Sequence, residues 1–239
     1  MLAHRGLALK VPENTLAAFA HALAVGVTHI ETDVRASRDG VAVISHDLEL
    51  IRVAGRTGTV SDEDARALSH LDLGGGHGMP ALADALEAFP DARFNIDLKS
   101  AAAIAPTVET VRRQQAEHRV LLTSFSERRR AAAVRLLPGV ATSASSLRFV
   151  PALLAARAGL RPVVRAAMAG LHAVQIPERA LGIETTAAPI LRAFHDAGVE
   201  VHVWTVNDPT VMRSHFLRGV DGIITDRADL AVEVLRTLA

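Results

Sequence analysis

The chain has 239 residues, 49% of them apolar, with 26 basic against 26 acidic side chains and a formal net charge of zero. A chain of this length buries a large core as one domain, 1–239, and the absence of a Lys/Arg tract interleaved with aromatics argues against nucleic acid as a partner. There is no cysteine and so no disulfide framework; with no signal core, and no apolar run near the roughly twenty residues of a bilayer span, the expectation is a cytoplasmic protein without stable membrane insertion.

In chain order, residues 2–4 form a short apolar run ending at His4. Thr15 can cap a helix that carries Leu16, Phe19, Ala20 and Leu23 on one face, with Gly26 just beyond its end. Residues 29–34 lie in an apolar run from Val27 to Val34 and read as a strand. Side chains two apart on a strand share a face, so Glu31 and Asp33 converge on one spot. Two such carboxylates repel unless a cation sits between them, and all-oxygen ligation suits Mg²⁺, Ca²⁺ or Mn²⁺.

Arg38-Asp39-Gly40 is a hairpin signal, so a strand at 41–45 is predicted to fold back on its predecessor. Residues 48–80 break the rhythm, being polar and glycine-rich. Gly74-Gly75-Gly76 within them lacks the strand, lysine and hydroxyl of a phosphate-binding loop. A helix at 81–89 leads to a strand at 93–98, where Asp97 and Lys99 repeat the two-apart geometry. Phe94, Ile96 and Leu98 make that run buried, and a buried charge needs a partner or a metal.

Further strands are predicted at 120–123, 140–143, 173–176, 199–204 and 222–224, with helices at 102–117, 127–136, 185–197, 208–217 and 228–238. Setting aside the folded-back strand, eight remain. They suit a (β/α)₈ TIM barrel, a fold whose active sites lie at the C-terminal ends of the strands.

Eight short motifs follow one another in order: Ala3-His4-Arg5-Gly6, Pro12-Glu13-Asn14-Thr15, Glu31-Thr32-Asp33, Ser45-His46-Asp47, Asn95-Ile96-Asp97-Leu98-Lys99, Leu122-Thr123-Ser124-Phe125, Trp204-Thr205-Val206-Asn207 and Gly219-Val220-Asp221-Gly222-Ile223-Ile224-Thr225-Asp226. Together they resemble the glycerophosphodiester phosphodiesterase family over nearly the whole chain. The resemblance implies metal-dependent hydrolysis of a small-molecule glycerophosphodiester to glycerol 3-phosphate and an alcohol, with 48–80 as the small insertion over the barrel mouth. It leaves the oligomeric state and the head-group preference open.

It also implies roles. His4 and His46 resemble the family's acid/base pair, and histidine is the side chain whose ordinary pKa lies closest to neutral. Glu31, Asp33 and Asp97 would hold one divalent cation, Mg²⁺ or Ca²⁺, with Mn²⁺ an alternative. The family usually has Glu at the third position, so the shorter Asp97 must reach the ion differently. Arg5 offers a planar fork and Lys99 a point charge to phosphate oxygens. Trp204, the only tryptophan in a chain with no tyrosine, would wall the glycerol or alcohol moiety. Glu13 and Asn14 would support the site from behind. The other nine histidines read as surface or packing residues, with His202 sharing the face of Trp204. Two other readings remain: a relative acting on lysophospholipid or sphingolipid head groups, which would favour a lipid-facing apolar patch, and a barrel that binds glycerophosphodiesters without turnover. The presence of both histidines and all three carboxylates argues against the latter.

Overall fold

The computed structural model describes residues 1–238. Eight parallel strands follow the order Ala141–Thr142 (β6), Val120–Thr123 (β5), Arg93–Leu98 (β4), His29–Ala36 (β2), Leu2–His4 (β1), Gly222–Thr225 (β11), Glu200–Trp204 (β10) and Ala173–Pro177 (β7). The ends of this row meet at a parallel bridge between Ser143 and Ala173. Ala144 N donates to Ala173 O and His172 N to Thr142 O, each at 2.9 Å, and these bonds complete the barrel.

The ninth strand, Ala42–Ile44 (β3), runs antiparallel to β2, pairing Val34 with Ile44, as the Arg38-Asp39-Gly40 turn predicts. Helices cover the outside. The first, Leu16–Ala24, starts where Thr15 Oγ1 accepts from Ala18 N at 3.2 Å, and buries Phe19 edge-on against Phe94 at 6.1 Å between ring centroids. On β4, Phe94, Ile96 and Leu98 face this helical layer and leave Asn95 and Asp97 for the interior, the alternation a strand imposes.

Three segments depart from the sequence reading. Residues 48–80 are not merely polar loop: Leu50, Val60, Leu68 and Met79 pack with Val43 into a small core of their own, and Gly78 approaches Ser69 O so closely that a Cβ would lie 1.8 Å from it. Two helices, Ser146–Arg157 and Arg161–Met168, stand between β6 and β7, where none is predicted; Pro151 lies within the first and Gly159 separates them. The helix predicted at 185–197 spans Ala188–His195, because the residues before it form a hairpin of Arg179–Ala180 (β8) and Ile183–Glu184 (β9).

Candidate active site

The parallel register brings the polar residues together. His4 lies beside Glu31, and Asp33 beside Asp97, as direct partners on adjacent strands. At the C-terminal mouth His4, Arg5, Glu31, Asp33, His46, Asp97, Lys99 and Trp204 all line one cavity of about 420 Å³, a volume suited to a small-molecule ligand. Every site residue read from the sequence is thus placed at a single opening.

Gly6 lets the chain leave β1. Its φ is +86°, and a Cβ there would sit 2.6 Å from the Ala18 carbonyl carbon, so only glycine fits. Arg5 and Asn14 both take positive φ, 56° each, a conformation uncommon outside glycine that is held here by contacts. Arg5 N donates to Glu31 O at 2.9 Å, and Asn14 N to Arg5 O at 2.9 Å. Asn14 Nδ2 donates to Asp33 Oδ2 at 3.2 Å while its Oδ1 accepts from Thr32 at 2.8 Å. Asn14 therefore orients a carboxylate, while the neighbouring Thr15 caps the helix.

Asp33 is surrounded by cations: Lys99 Nζ lies 2.8 Å from Oδ1 and Arg5 Nε 3.1 Å from Oδ2. Burial alone would raise its pKa, but Lys99 and Arg5 outweigh burial and hold it below the usual carboxylate range. Glu31 goes the other way. Burial, with the Asp33 charge alongside, pushes it up to about 8, so without a further cation one of this pair keeps its proton. Burial raises Asp97 too, against the pull of Lys99 at 2.7 Å.

Among the described residues, no three His, Cys, Asp or Glu side chains converge closely enough to hold a metal as they stand. The donor set nevertheless fits a hard divalent cation. Glu31, Asp33 and Asp97 are all buried oxygen donors, and Asp97 Oδ1 has no hydrogen-bond partner. A buried carboxylate oxygen left bare, beside a second carboxylate driven to protonation, is an arrangement that a cation relieves.

The two histidines are anchored differently. His4 Nδ1 lies 2.6 Å from Asp226 Oδ1, and its Nε2 3.9 Å from Glu31 Oε2. Burial lowers its pKa, but Asp226 and Glu31 more than offset this and leave it raised. His46 Nδ1 lies 2.6 Å from Asp47 Oδ1, and its carbonyl accepts Arg35 Nε at 3.0 Å and Nη2 at 2.8 Å. Asp47 also takes Arg52, which reaches Glu13 at 2.7 Å, and Glu13 takes Arg5 at 3.0 Å. This chain of ion pairs joins the helix Ile51–Ala54 of residues 48–80 to the mouth.

Trp204 packs edge-on against Phe125, 5.9 Å between centroids, and Lys99 Nζ sits 5.9 Å from the Phe125 ring. Phe125 was present in the sequence only as part of a motif. His202 lies below the opening, between Glu200 at 3.0 Å and Gln175 at 3.4 Å, and does not line the cavity. Sequence reading assigned no role to Asp226, Asn207 or Arg52. The first two belong to the last two motifs, a signal that names the residues without naming their partners.

A model of the Glycerophosphoryl diester phosphodiesterase family matches residues 4–230. The chain is 46% identical over 236 residues to the probable glycerophosphodiester phosphodiesterase 2 of Mycobacterium tuberculosis, covering 98% of this chain and 89% of that one. It is similar to the crystal structure of a glycerophosphodiester phosphodiesterase from Agrobacterium tumefaciens, with 29% identity, a TM-score of 0.82 and 98% of each chain covered. The same fold recurs in an Oleispira antarctica phosphodiesterase solved with its product sn-glycerol-3-phosphate, at 23% identity and a TM-score of 0.81 over 98% of this chain and 96% of that one.

Proposed function

The chain belongs to the glycerophosphoryl diester phosphodiesterase family, and from that premise we propose that it hydrolyses glycerophosphodiesters to glycerol 3-phosphate and an alcohol with one divalent cation, Mg²⁺ or Ca²⁺. The observation that carries this reading is the meeting, in one cavity, of three buried carboxylates, two cationic side chains and two histidines. The relative solved with sn-glycerol-3-phosphate has the same fold, which supports the choice of product.

Glu31, Asp33 and Asp97 would hold the cation, which when bound neutralises and polarises the phosphodiester anion. Arg5 and Lys99 bind non-bridging phosphate oxygens. Both are tethered to carboxylates at 3.0 Å or less, Arg5 to Glu13 and Lys99 to Asp33 and Asp97, so their heads are already in place and little ordering is left for the substrate to supply. One histidine of the pair His4 and His46 takes the proton of the attacking hydroxyl, from water or from the glycerol 2-position. A new P–O bond forms as the bond to the departing alcohol breaks, and the other histidine protonates that oxygen; attack by the 2-hydroxyl yields a cyclic phosphate, which a water then opens to glycerol 3-phosphate with the two histidines exchanging roles. Trp204 and Phe125 supply the apolar wall against which the uncharged part of the substrate lies.

The test is incubation of the purified protein with Mg²⁺ and several glycerophosphodiesters differing in their alcohol, with glycerol 3-phosphate measured by an enzyme-coupled assay. Release of glycerol 3-phosphate from at least one supports the reading. Release of none, with the diesters intact by ³¹P NMR, rules it out.

A further inference from the structure

His4 closes β1, and its ring is gripped from the neighbouring strand. Asp226 directly follows β11, the parallel neighbour of β1, and one of its oxygens lies 2.6 Å from His4 Nδ1. The other oxygen accepts Asn207 Nδ2 at 2.8 Å. Asn207, just past the end of β10, is itself fixed: its Oδ1 accepts Asp226 N at 2.9 Å and Thr225 Oγ1 at 3.0 Å. Two donors at that oxygen dictate which way the amide points, so its NH₂ must face the carboxylate. Three adjacent strands, β10, β11 and β1, thus each contribute one link. Neither Asp226 nor Asn207 borders the cavity.

We propose that Asp226, held by Asn207, is a positioning residue that sets the orientation and tautomer of His4. A carboxylate only accepts, so the hydrogen resides on His4 Nδ1 and the opposite nitrogen, Nε2, is the one aimed into the cavity. The inference rests on the reading that His4 exchanges a proton with the substrate. His46 has no equivalent of this neutral-amide clamp, because its aspartate partner is bound by a charged arginine instead.

Asp226→Asn is the decisive variant. Asn207 Nδ2 still needs an acceptor, so the oxygen of the new amide stays on that side and its NH₂ turns to His4 Nδ1. The neutral ring is then forced into the Nε2–H tautomer. Long-range ¹H–¹⁵N correlations on histidine-labelled protein, recorded above the ring's titration, should show His4 as Nδ1–H in the wild type and Nε2–H in the variant. His4→Ala assigns the signal. The kcat should fall about 10- to 100-fold, the usual cost of losing a group that orients a functional ligand, with KM within about twofold. In the His4→Ala background the same change should cost nothing further. Asp226→Ala, which cannot invert the tautomer, should leave a mixture of both forms and a smaller loss. An unchanged tautomer in Asp226→Asn overturns the proposal whether or not the enzyme turns over any substrate. So does a kcat within twofold of wild type, or an equal loss in the His4→Ala background.

Discussion

Lys99 Nζ lies 2.7 Å from Asp97 Oδ2, a residue two positions earlier in the chain, and this ion pair leaves Asp97 Oδ1 bare at the cavity. The same ammonium reaches Asp33 Oδ1 at 2.8 Å, so it links the two carboxylates across neighbouring strands. If the bare oxygen contacts the cation directly, Asp97→Asn should weaken cation affinity more than about 100-fold, since groups that merely support a ligand cost about 10- to 100-fold. Isothermal titration with Mg²⁺ and Ca²⁺ measures this. A loss below tenfold would assign Asp97 to Lys99 alone.

Glu31 makes the fold sensitive to pH. Burial and the Asp33 charge push its pKa up to about 8, from an ordinary 4.5. Between those values the folded protein binds more protons than the unfolded chain, so stability falls as pH rises through that window. Asp97, also raised by burial, adds in the same direction. His29, which burial holds down at about 4 instead of 6.5, works the opposite way below pH 6.5, so the Tm of chelator-treated protein should decline chiefly from about pH 6.5 to 8, while saturating cation, competing with the proton, should raise Tm and flatten the decline. Cation affinity should rise over the same range. A Tm indifferent to cation at pH 8 would count against the site.

His4→Ala and His46→Ala are each expected to lower kcat by about 10² to 10⁴, the span for general acid and base groups, while the cation-dependent rise in Tm persists. Because the two act in one step, the double variant should lose far less than the product of the two losses. Near-full activity of either single variant on a diester with a poor leaving group would remove that histidine from the chemistry.

Gly6 offers a test on the side of stability. Any Cβ there meets the Ala18 backbone at 2.6 Å, at a φ of +86°. The strained conformation alone costs about 1–3 kcal/mol, and the close approach adds to it by displacing the helix Leu16–Ala24. Gly6→Ala should show a markedly lower Tm and reduced activity, since Arg5 moves with it; an unchanged Tm would mean that the chain leaves β1 by another path.

How much of this was legible in the sequence follows from the range of each interaction. Glu31 and Asp33 share a face because of a period of two, and Asp97 and Lys99 follow the same alternation, so the carboxylates could be gathered without a structure. The folded-back β3 came from a three-residue turn. Asp226, by contrast, holds His4 across 222 residues, and Arg52 reaches Glu13 across 39; nothing local marks either pairing. The helix Ser146–Arg157 escaped because it carries Pro151 and buries Phe149, Ala152, Leu153, Ala155 and Ala156 over a broad arc rather than a narrow stripe, and Arg161–Met168 because it is short and buries only Val164 and Met168. The apolar core of residues 48–80 was hidden by spacing, since Leu50, Val60, Leu68 and Met79 fall about ten residues apart and meet only on folding.

The most direct test of the account is release of glycerol 3-phosphate from a glycerophosphodiester by protein stripped with chelator, then supplied with Mg²⁺ or Ca²⁺, alongside Glu31→Gln and Asp33→Asn. The account predicts no turnover in chelator, recovery on adding either ion with the same half-saturation as the rise in Tm, and no recovery in either variant. Full turnover in excess chelator by protein free of metal on elemental analysis would contradict it.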